Sequence, residues 1–167
     1  YPGKQIDEAS MWANIEYFLM RVIPVAEECG VRMALHPDDP PIPEAMGGAA
    51  RIVSTLDQYE RIFSMAPSQS NAMLFCQGCV TEMEHDDVYE GIRRIGAQGR
   101  IVYVHFRNVK GTGKYFEEVF CDEGDVDEDC DGAADDGDVD GATGKIWAYT
   151  DGDSDGYGVS GVGDMEV

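Results

Sequence analysis

With 167 residues, five cysteines and a formal net charge of −21, the chain is long enough for one hydrophobic core with or without a small appendage. Nucleic acid is excluded as an expected partner, because phosphate backbones are bound by basic patches, and no apolar run reaches the length that spans a bilayer. The acidity is concentrated: residues 121–167 hold 16 acids and Lys145 as their one base, against 17 acids and 11 bases in residues 1–120. This divides the chain into a globular part, 1–125, and an acidic tail, 126–167, whose carboxylates suit divalent cations.

In chain order, apolar side chains at Met11, Ile15, Phe18, Leu19, Val22, Val25, Ala26 and Cys29 recur at helical spacing and predict an amphipathic helix over 10–29. Ser10 is its expected N-cap and Gly30 its stop. Pro24 is expected to kink or divide it, since proline removes a backbone donor and clashes with the preceding turn. Residues 31–36 then read as a buried strand that delivers His36 to the loop Pro37-Asp38-Asp39-Pro40-Pro41. Ile52, Leu56, Tyr59, Ile62 and Phe63 predict a second helix over 49–65, closed by Pro67. A second strand, 72–76, ends on Cys76, a third amphipathic segment carries Val88, Ile92 and Ile95, and the strand that follows Gly99 carries His105 at its end.

Helices and strands that alternate in this way predict an α/β fold with parallel strands joined by right-handed crossovers. A closed (β/α)8 barrel takes about 250 residues, so the first 120 residues read as part of one. Parallel strands would bring His36, Cys76 and His105 to one sheet edge, the carboxyl edge at which α/β enzymes place their chemistry. Two imidazoles and a thiolate there make a three-ligand divalent-metal site with open positions, and the thiolate tilts the choice toward Fe(II), Zn(II) or Mn(II).

Taken singly, each of these residues also has a plain packing role: a histidine at a strand end often serves the core, and a buried cysteine mostly fills space. Cys76-x-x-Cys79 can be read as half a zinc knuckle or a redox pair; with no second pair nearby, Cys76 is taken as the ligand and Cys79 as incidental. Asp38 and Asp39 follow His36 as either a solvated turn or substrate and ligand-supporting contacts. Arg107 is either a surface arginine or a bidentate partner for a substrate carboxylate.

The tail repeats Asp-x-Asp-x-Asp-Gly three times, at Asp127-Asp129-Asp131, Asp136-Asp138-Asp140 and Asp151-Asp153-Asp155. Alternate carboxylates with a glycine at the sixth position supply the oxygens and the sharp turn of a Ca(II) loop, although no copy carries the glutamate at position twelve of a full EF-hand. Lys145-Ile146-Trp147-Ala148-Tyr149 is the one candidate strand there. The alternative is an acidic tail without metal, since such a segment cannot fold on apolar burial alone. The five cysteines, Cys29, Cys76, Cys79, Cys121 and Cys130, are odd in number and irregularly spaced, which fits a reduced compartment. Tyr1 is preceded by neither an initiator methionine nor a leader, so a fragment of a longer protein is expected.

Ala34-Leu35-His36-Pro37-Asp38-Asp39-Pro40-Pro41, Phe75-Cys76-Gln77-Gly78, Tyr103-Val104-His105-Phe106-Arg107-Asn108 and Asp122-Glu123-Gly124-Asp125-Val126-Asp127 occur in order at suitable spacing, and together they resemble mannonate dehydratase. The segment from Met11 to Glu28 looks like the same family, so the resemblance covers about residues 8–127. It implies a TIM barrel of the xylose isomerase-like type that removes water from D-mannonate to give 2-keto-3-deoxy-D-gluconate in hexuronate breakdown. It further implies Mn(II) or Fe(II) held by His36, Cys76 and His105, abstraction of the C2 proton, metal stabilisation of the resulting charge and loss of the C3 hydroxyl.

A cytoplasmic enzyme with a small sugar-acid substrate follows from that likeness, with homo-oligomerisation left open. The family's early strands, its fourth ligand and its catalytic histidine fall outside these residues, so the catalytic group is unassigned and an incomplete, inactive barrel is expected. The tail instead resembles aspartate-rich metal-binding repeats of bacterial surface proteins. That likeness gives the competing reading of a secreted or surface Ca(II)-binding module with a vestigial barrel segment, and a chimeric gene product that does not fold is the third.

Overall fold

A computed structural model describes residue 3 and residues 5–126; the three aspartate repeats, Cys130 and the expected strand over 145–149 lie outside the described residues. The first helix, α1, runs from Glu8 to Glu28. Its N-cap is Asp7, not Ser10: the Asp7 carboxylate accepts from the Ser10 backbone N–H at 2.8 Å, placing the serine inside the first turn. Trp12, Leu19, Ile23 and Ala26 form its buried face. Pro24 sits on the exposed side, and the helix is not divided there. Beyond the C-cap Cys29, Gly30 adopts φ 65°, its N–H donates to the Glu27 carbonyl, and the Val31 N–H donates to that of Ala26. This pair of bonds is the Schellman closure that glycine at this position favours.

Three short strands, β1 (Met33–Leu35), β2 (Asn71–Cys76) and β3 (Ile101–His105), form a parallel sheet in the order β1-β2-β3. Leu35 lies opposite Met73 and Cys76 opposite His105, with one register irregularity between Met73 and Leu74. The parallel arrangement expected from the sequence is present. β2 is the central strand and nearly all buried, whereas Tyr103 and Val104 of β3 are exposed.

The second helix, α2, runs from Leu56 to Met65, seven residues later than the apolar spacing indicates. The cause is local. Thr55 Oγ1 accepts from the Gln58 N–H at 3.2 Å, Gln58 Oε1 accepts from the Ser54 N–H at 2.6 Å, and Asp86 Oδ2 accepts from the Leu56 N–H at 2.9 Å. Together these fix the helix start at Thr55. Ile52 and Val53 enter the core from irregular chain instead, and the Val53 carbonyl accepts from the Asp38 N–H. The buried faces of α1 and α2 join Met73 and Phe75 of β2 in one cluster, which Val80 and Ile95 extend.

Two features have no counterpart in the sequence reading. Between β2 and the expected helix α4 (Val88–Gly96) lies a short helix, α3 (Gln77–Glu82), for which Cys76 is the N-cap residue. After β3, β4 (Asn108–Thr112) and β5 (Tyr115–Val119) form an antiparallel hairpin around Gly113-Lys114, with Gly113 at φ 61° as a tight turn requires. The hairpin is fastened to α3 by the Gly113 N–H, which donates to the Glu82 carbonyl at 2.8 Å, and to the proline-rich loop by a Lys114–Glu44 ion pair. No helix among the described residues is long and apolar enough to cross a membrane.

Candidate metal centre at the carboxyl edge of the sheet

Because the strands are parallel, their last residues emerge together. His36 is the first residue past β1, Cys76 ends β2 and His105 ends β3. Cys76 Sγ lies 3.4 Å from His105 Nδ1, and the two imidazole rings are 6.0 Å apart between centroids. His36 Nδ1 is 2.7 Å from the Pro37 carbonyl, to which it donates, so Nε2 carries the lone pair that can meet a metal. The Tyr59 hydroxyl, fully buried, donates to the Leu35 carbonyl at 2.9 Å and ties the end of β1 to α2 one residue before His36.

Among the described residues two sets of potential ligands have donor atoms all within 4.8 Å of one another: His36, Cys76 and Cys79, and Asp39, Cys79 and Glu82. The sequence takes Cys79 as incidental for want of a second cysteine pair; it does not show the short helix α3. Once Gln77–Glu82 is helical, Cys76, Cys79 and Glu82 at intervals of three residues share one face. Both thiols and Glu82 are fully buried, whereas His105 is exposed.

Arg107 organises this face. It is buried, and it donates through Nη1 to Cys79 Sγ at 3.3 Å, to Cys76 Sγ at 3.6 Å and to Asp39 Oδ2 at 3.4 Å. Nη2 donates to Glu82 Oε1 at 2.6 Å, and Nε makes a 3.5 Å ion pair with Glu118 on the hairpin. Gly78 makes room for it: a Cβ at that position would lie 2.7 Å from the Cγ and Nε of Arg107. Asp38 is equally engaged, its Oδ2 accepting from the Val53 N–H at 2.8 Å and the Ser54 hydroxyl at 3.3 Å, with Arg51 Nε 3.4 Å from Oδ1. Of the sequence-selected residues, His36, Cys76 and His105 are thus brought together, Arg107 lies beneath them, and Asp38 braces the loop after β1.

The electrostatics separate the two thiols. The hydrogen bond from Cys79 brings the Cys76 thiol down to about 4 against the opposing effect of burial, with Arg107 assisting. Cys79 is pushed up because its proton is the one donated to Cys76 and because it is buried beside that charge. Burial raises the Glu82 carboxyl to about 7, against the pull of Arg107. Burial lowers the Arg107 guanidinium, but the Cys76 hydrogen bond and the Glu82 charge more than offset it, so its net shift is upward. The pair therefore shares one proton, with the negative sulfur on Cys76 where a cation would bind. Cys76 Sγ and His105 Nδ1, 3.4 Å apart, stand at the spacing of neighbouring ligands on a divalent transition metal, since bonds of about 2.0–2.3 Å to a central ion place such ligands under about 4 Å apart.

The D-mannonate dehydratase (UxuA) family model matches residues 2–132. The chain is 43% identical over 114 residues to mannonate dehydratase of Streptococcus uberis, covering 68% of this chain and 32% of that protein. It is 41% identical over 130 residues to mannonate dehydratase of Thermotoga maritima, covering 75% and 36%. The crystal structure of mannonate dehydratase from Streptococcus suis serotype 2 superposes with a TM-score of 0.66 at 36% identity, over 73% of this chain and 35% of that one. The chain thus spans about a third of the length of the curated relatives it matches, and its mixed α/β fold with a parallel sheet is similar to the solved one. On the family match over most of its length, the chain belongs to the D-mannonate dehydratase family.

Proposed function

We propose that residues 1–125 form the metal-bearing portion of a xylose isomerase-like TIM barrel that dehydrates D-mannonate to 2-keto-3-deoxy-D-gluconate in the cytoplasm, with His36, Cys76 and His105 as ligands to Mn(II) or Fe(II). Residues 126–167 are a separate segment whose repeated aspartates take Ca(II). The observation that carries this reading is the meeting of His36, Cys76 and His105 at one edge of a parallel sheet in a chain of this family.

When bound, a divalent metal at that edge supplies a Lewis acid that stabilises negative charge on a substrate oxygen. The chain's own residues prepare the place for it. The Pro37 carbonyl fixes the His36 tautomer with Nε2 free. Cys79 and Arg107 keep Cys76 as the thiolate. Asp38 and Arg107 act on the substrate indirectly, the first by fixing the loop after β1 and the second by carrying positive charge beneath the site. The partner is a small sugar acid.

The test is Mn(II) binding by the purified chain with Ca(II) in excess to saturate the tail, followed by an assay for 2-keto acid release from D-mannonate. One equivalent of Mn(II), lost in Cys76→Ala, is the expected result. Binding of Ca(II) alone, indifferent to Cys76, would overturn the proposal and leave the acidic tail as the metal-binding part.

A further inference from the structure

We propose that Cys76 and Cys79 form an oxidative modification site: hydrogen peroxide converts them to a Cys76–Cys79 disulfide, which withdraws Cys76 from the metal and is undone by a thiol reductant. This rests on the reading above for Cys76 as a ligand. Cys79, which keeps its proton and stays outside the ligand set, takes the part of the resolving thiol.

The geometry carries it. Cys76 is the N-cap residue of α3 and Cys79 stands one turn into that helix. On a helical spiral of about 1.5 Å rise per residue and about 2.3 Å radius, Cα atoms three apart are about 5 Å from each other, inside the range of about 4.4–6.8 Å that a disulfide bridges. The two sulfurs lie within 4.8 Å of each other, and the Cys79 thiol already points at Cys76, to which it donates. Closing to a bond of about 2.05 Å is within the reach of side-chain rotation. Cys76 has no exposed surface, but it stands 3.4 Å from the exposed His105, and the route that admits a metal and a substrate oxygen to this edge admits a peroxide of two oxygen atoms.

The surroundings tolerate the change. Arg107 Nη1 donates to Cys79 and Cys76 at 3.3 and 3.6 Å. When these sulfurs become a neutral disulfide, the guanidinium keeps Glu82 at 2.6 Å, Asp39 at 3.4 Å and Glu118 at 3.5 Å. The buried cation therefore stays paired, and oxidation leaves the charge pattern around α3 in place. The same donors hold reduced sulfur more strongly than a disulfide, which makes the bond easy to reduce.

The reaction balances with one peroxide. Cys76 sulfur attacks a peroxide oxygen: the S–O bond forms, the O–O bond breaks, and the leaving hydroxide takes a proton from solvent. Cys79 sulfur then attacks the sulfenic acid on Cys76: the S–S bond forms, the S–O bond breaks, and the leaving hydroxide takes the Cys79 proton. Two sulfurs are oxidised and one peroxide is reduced to two waters. Without a resolving thiol the sulfenic acid goes on to the sulfinic acid, which thiol reductants do not restore.

The experiment treats the reduced, metal-free full chain with one equivalent of hydrogen peroxide, blocks remaining thiols with N-ethylmaleimide and maps the peptides by mass. The peptide holding Cys76 and Cys79 should lose two hydrogens and resist blocking until dithiothreitol is added. Mn(II) affinity, with Ca(II) in excess to saturate the tail, should fall by more than about tenfold, since loss of even an outer contact costs 10–100-fold, and should return with dithiothreitol. Cys79→Ser under the same peroxide should gain two oxygens on Cys76 and lose Mn(II) binding beyond rescue. The unsubstituted chain decides the matter without the variant. Sulfinic acid on Cys76, its pairing with another cysteine, or a Cys76 left reduced while the exposed Cys29 is oxidised would each overturn the proposal. If Cys76→Ser still abolishes Mn(II) binding in that case, the reading of Cys76 as a ligand stands. A Cys76–Cys79 disulfide that leaves Mn(II) binding intact would overturn the switch and that reading together.

Discussion

Replacing Arg107 with methionine removes the cation around which the buried face of α3 is arranged while keeping much of its volume. Glu82, fully buried, then loses the 2.6 Å partner that accepts its charge. Breaking a buried pair from one side costs about 3–5 kcal/mol, because the remaining charge is left uncompensated. The penalty depends on pH in a direction the structure fixes. Glu82 titrates at about 7 in the folded chain against an ordinary 4.5, so the folded state holds the proton more tightly than the unfolded one.

A carboxyl raised in this way contributes stability that is greatest at low pH and is lost as pH rises from about 4.5 to about 7, roughly 3 kcal/mol across the interval. Without Arg107 the interval extends upward, because the guanidinium pulls the Glu82 value down. Arg107→Met should therefore be several kcal/mol less stable than wild type at pH 8 and much closer to it at pH 5.5. The assay is urea unfolding of metal-free protein followed by circular dichroism. Arg107→Met combined with Glu82→Leu should recover most of the loss at pH 8, since removing both charges is often near neutral. An Arg107→Met variant within about 1 kcal/mol of wild type at pH 8, or a double variant as unstable as the two singles added, would refute the reasoning.

Other expectations follow from single contacts. Gly78→Ala places a methyl group 2.7 Å from Arg107 and should displace the guanidinium, costing about 1–3 kcal/mol in urea unfolding. Asn71→Ala removes the buried side-chain amide that donates to the Ile62 and Ala66 carbonyls at 2.9 and 3.1 Å, and should cost about 1–3 kcal/mol by the same measurement. Thr55→Ala should cost about 1 kcal/mol and speed amide exchange in the first turn of α2, because the cap that fixes its start is lost. Leu56→Ala, at a position with no exposure, should cost about 2–5 kcal/mol, and an effect below 1 would mean the core is looser than drawn.

The sheet was legible because its signal is carried by composition along the strand. Met33–Leu35, Asn71–Cys76 and Ile101–His105 are apolar runs bounded by polar turns, and the helical spacing between them left parallel pairing as the natural arrangement. From that the convergence of His36, Cys76 and His105 followed. Helix starts were less legible, because a cap is decided by one side chain. Asp7 outcompetes Ser10 by reaching the Ser10 N–H, and the Thr55–Gln58 pair cuts the apolar period that begins at Ile52. Gln77–Glu82 is too short to show a period, which hid the shared face of Cys76, Cys79 and Glu82. The hairpin from Asn108 to Val119 alternates weakly and is rich in charge, so its clearest signal was the turn at Gly113. Arg107 follows β3 by two residues and reads in sequence as either a surface side chain or a substrate-carboxylate partner, whereas the hairpin and α3 enclose it.

The open side of β3 affects how the chain behaves in concentrated solution. Tyr103 and Val104 of β3, and Phe106 just past its end, are more than half exposed, and β3 has no neighbour beyond it among the described residues. Such an edge is a template for pairing with another molecule. The same polypeptide carries 16 acids against a single base in residues 121–167. Two molecules approaching through their β3 edges each bring that excess of negative charge, and the repulsion acts over about 10 Å at 0.1 M salt and about 3 Å at 1 M. The chain is therefore expected to remain dispersed in dilute buffer and to associate as salt is raised, the reverse of a protein held together by ion pairs.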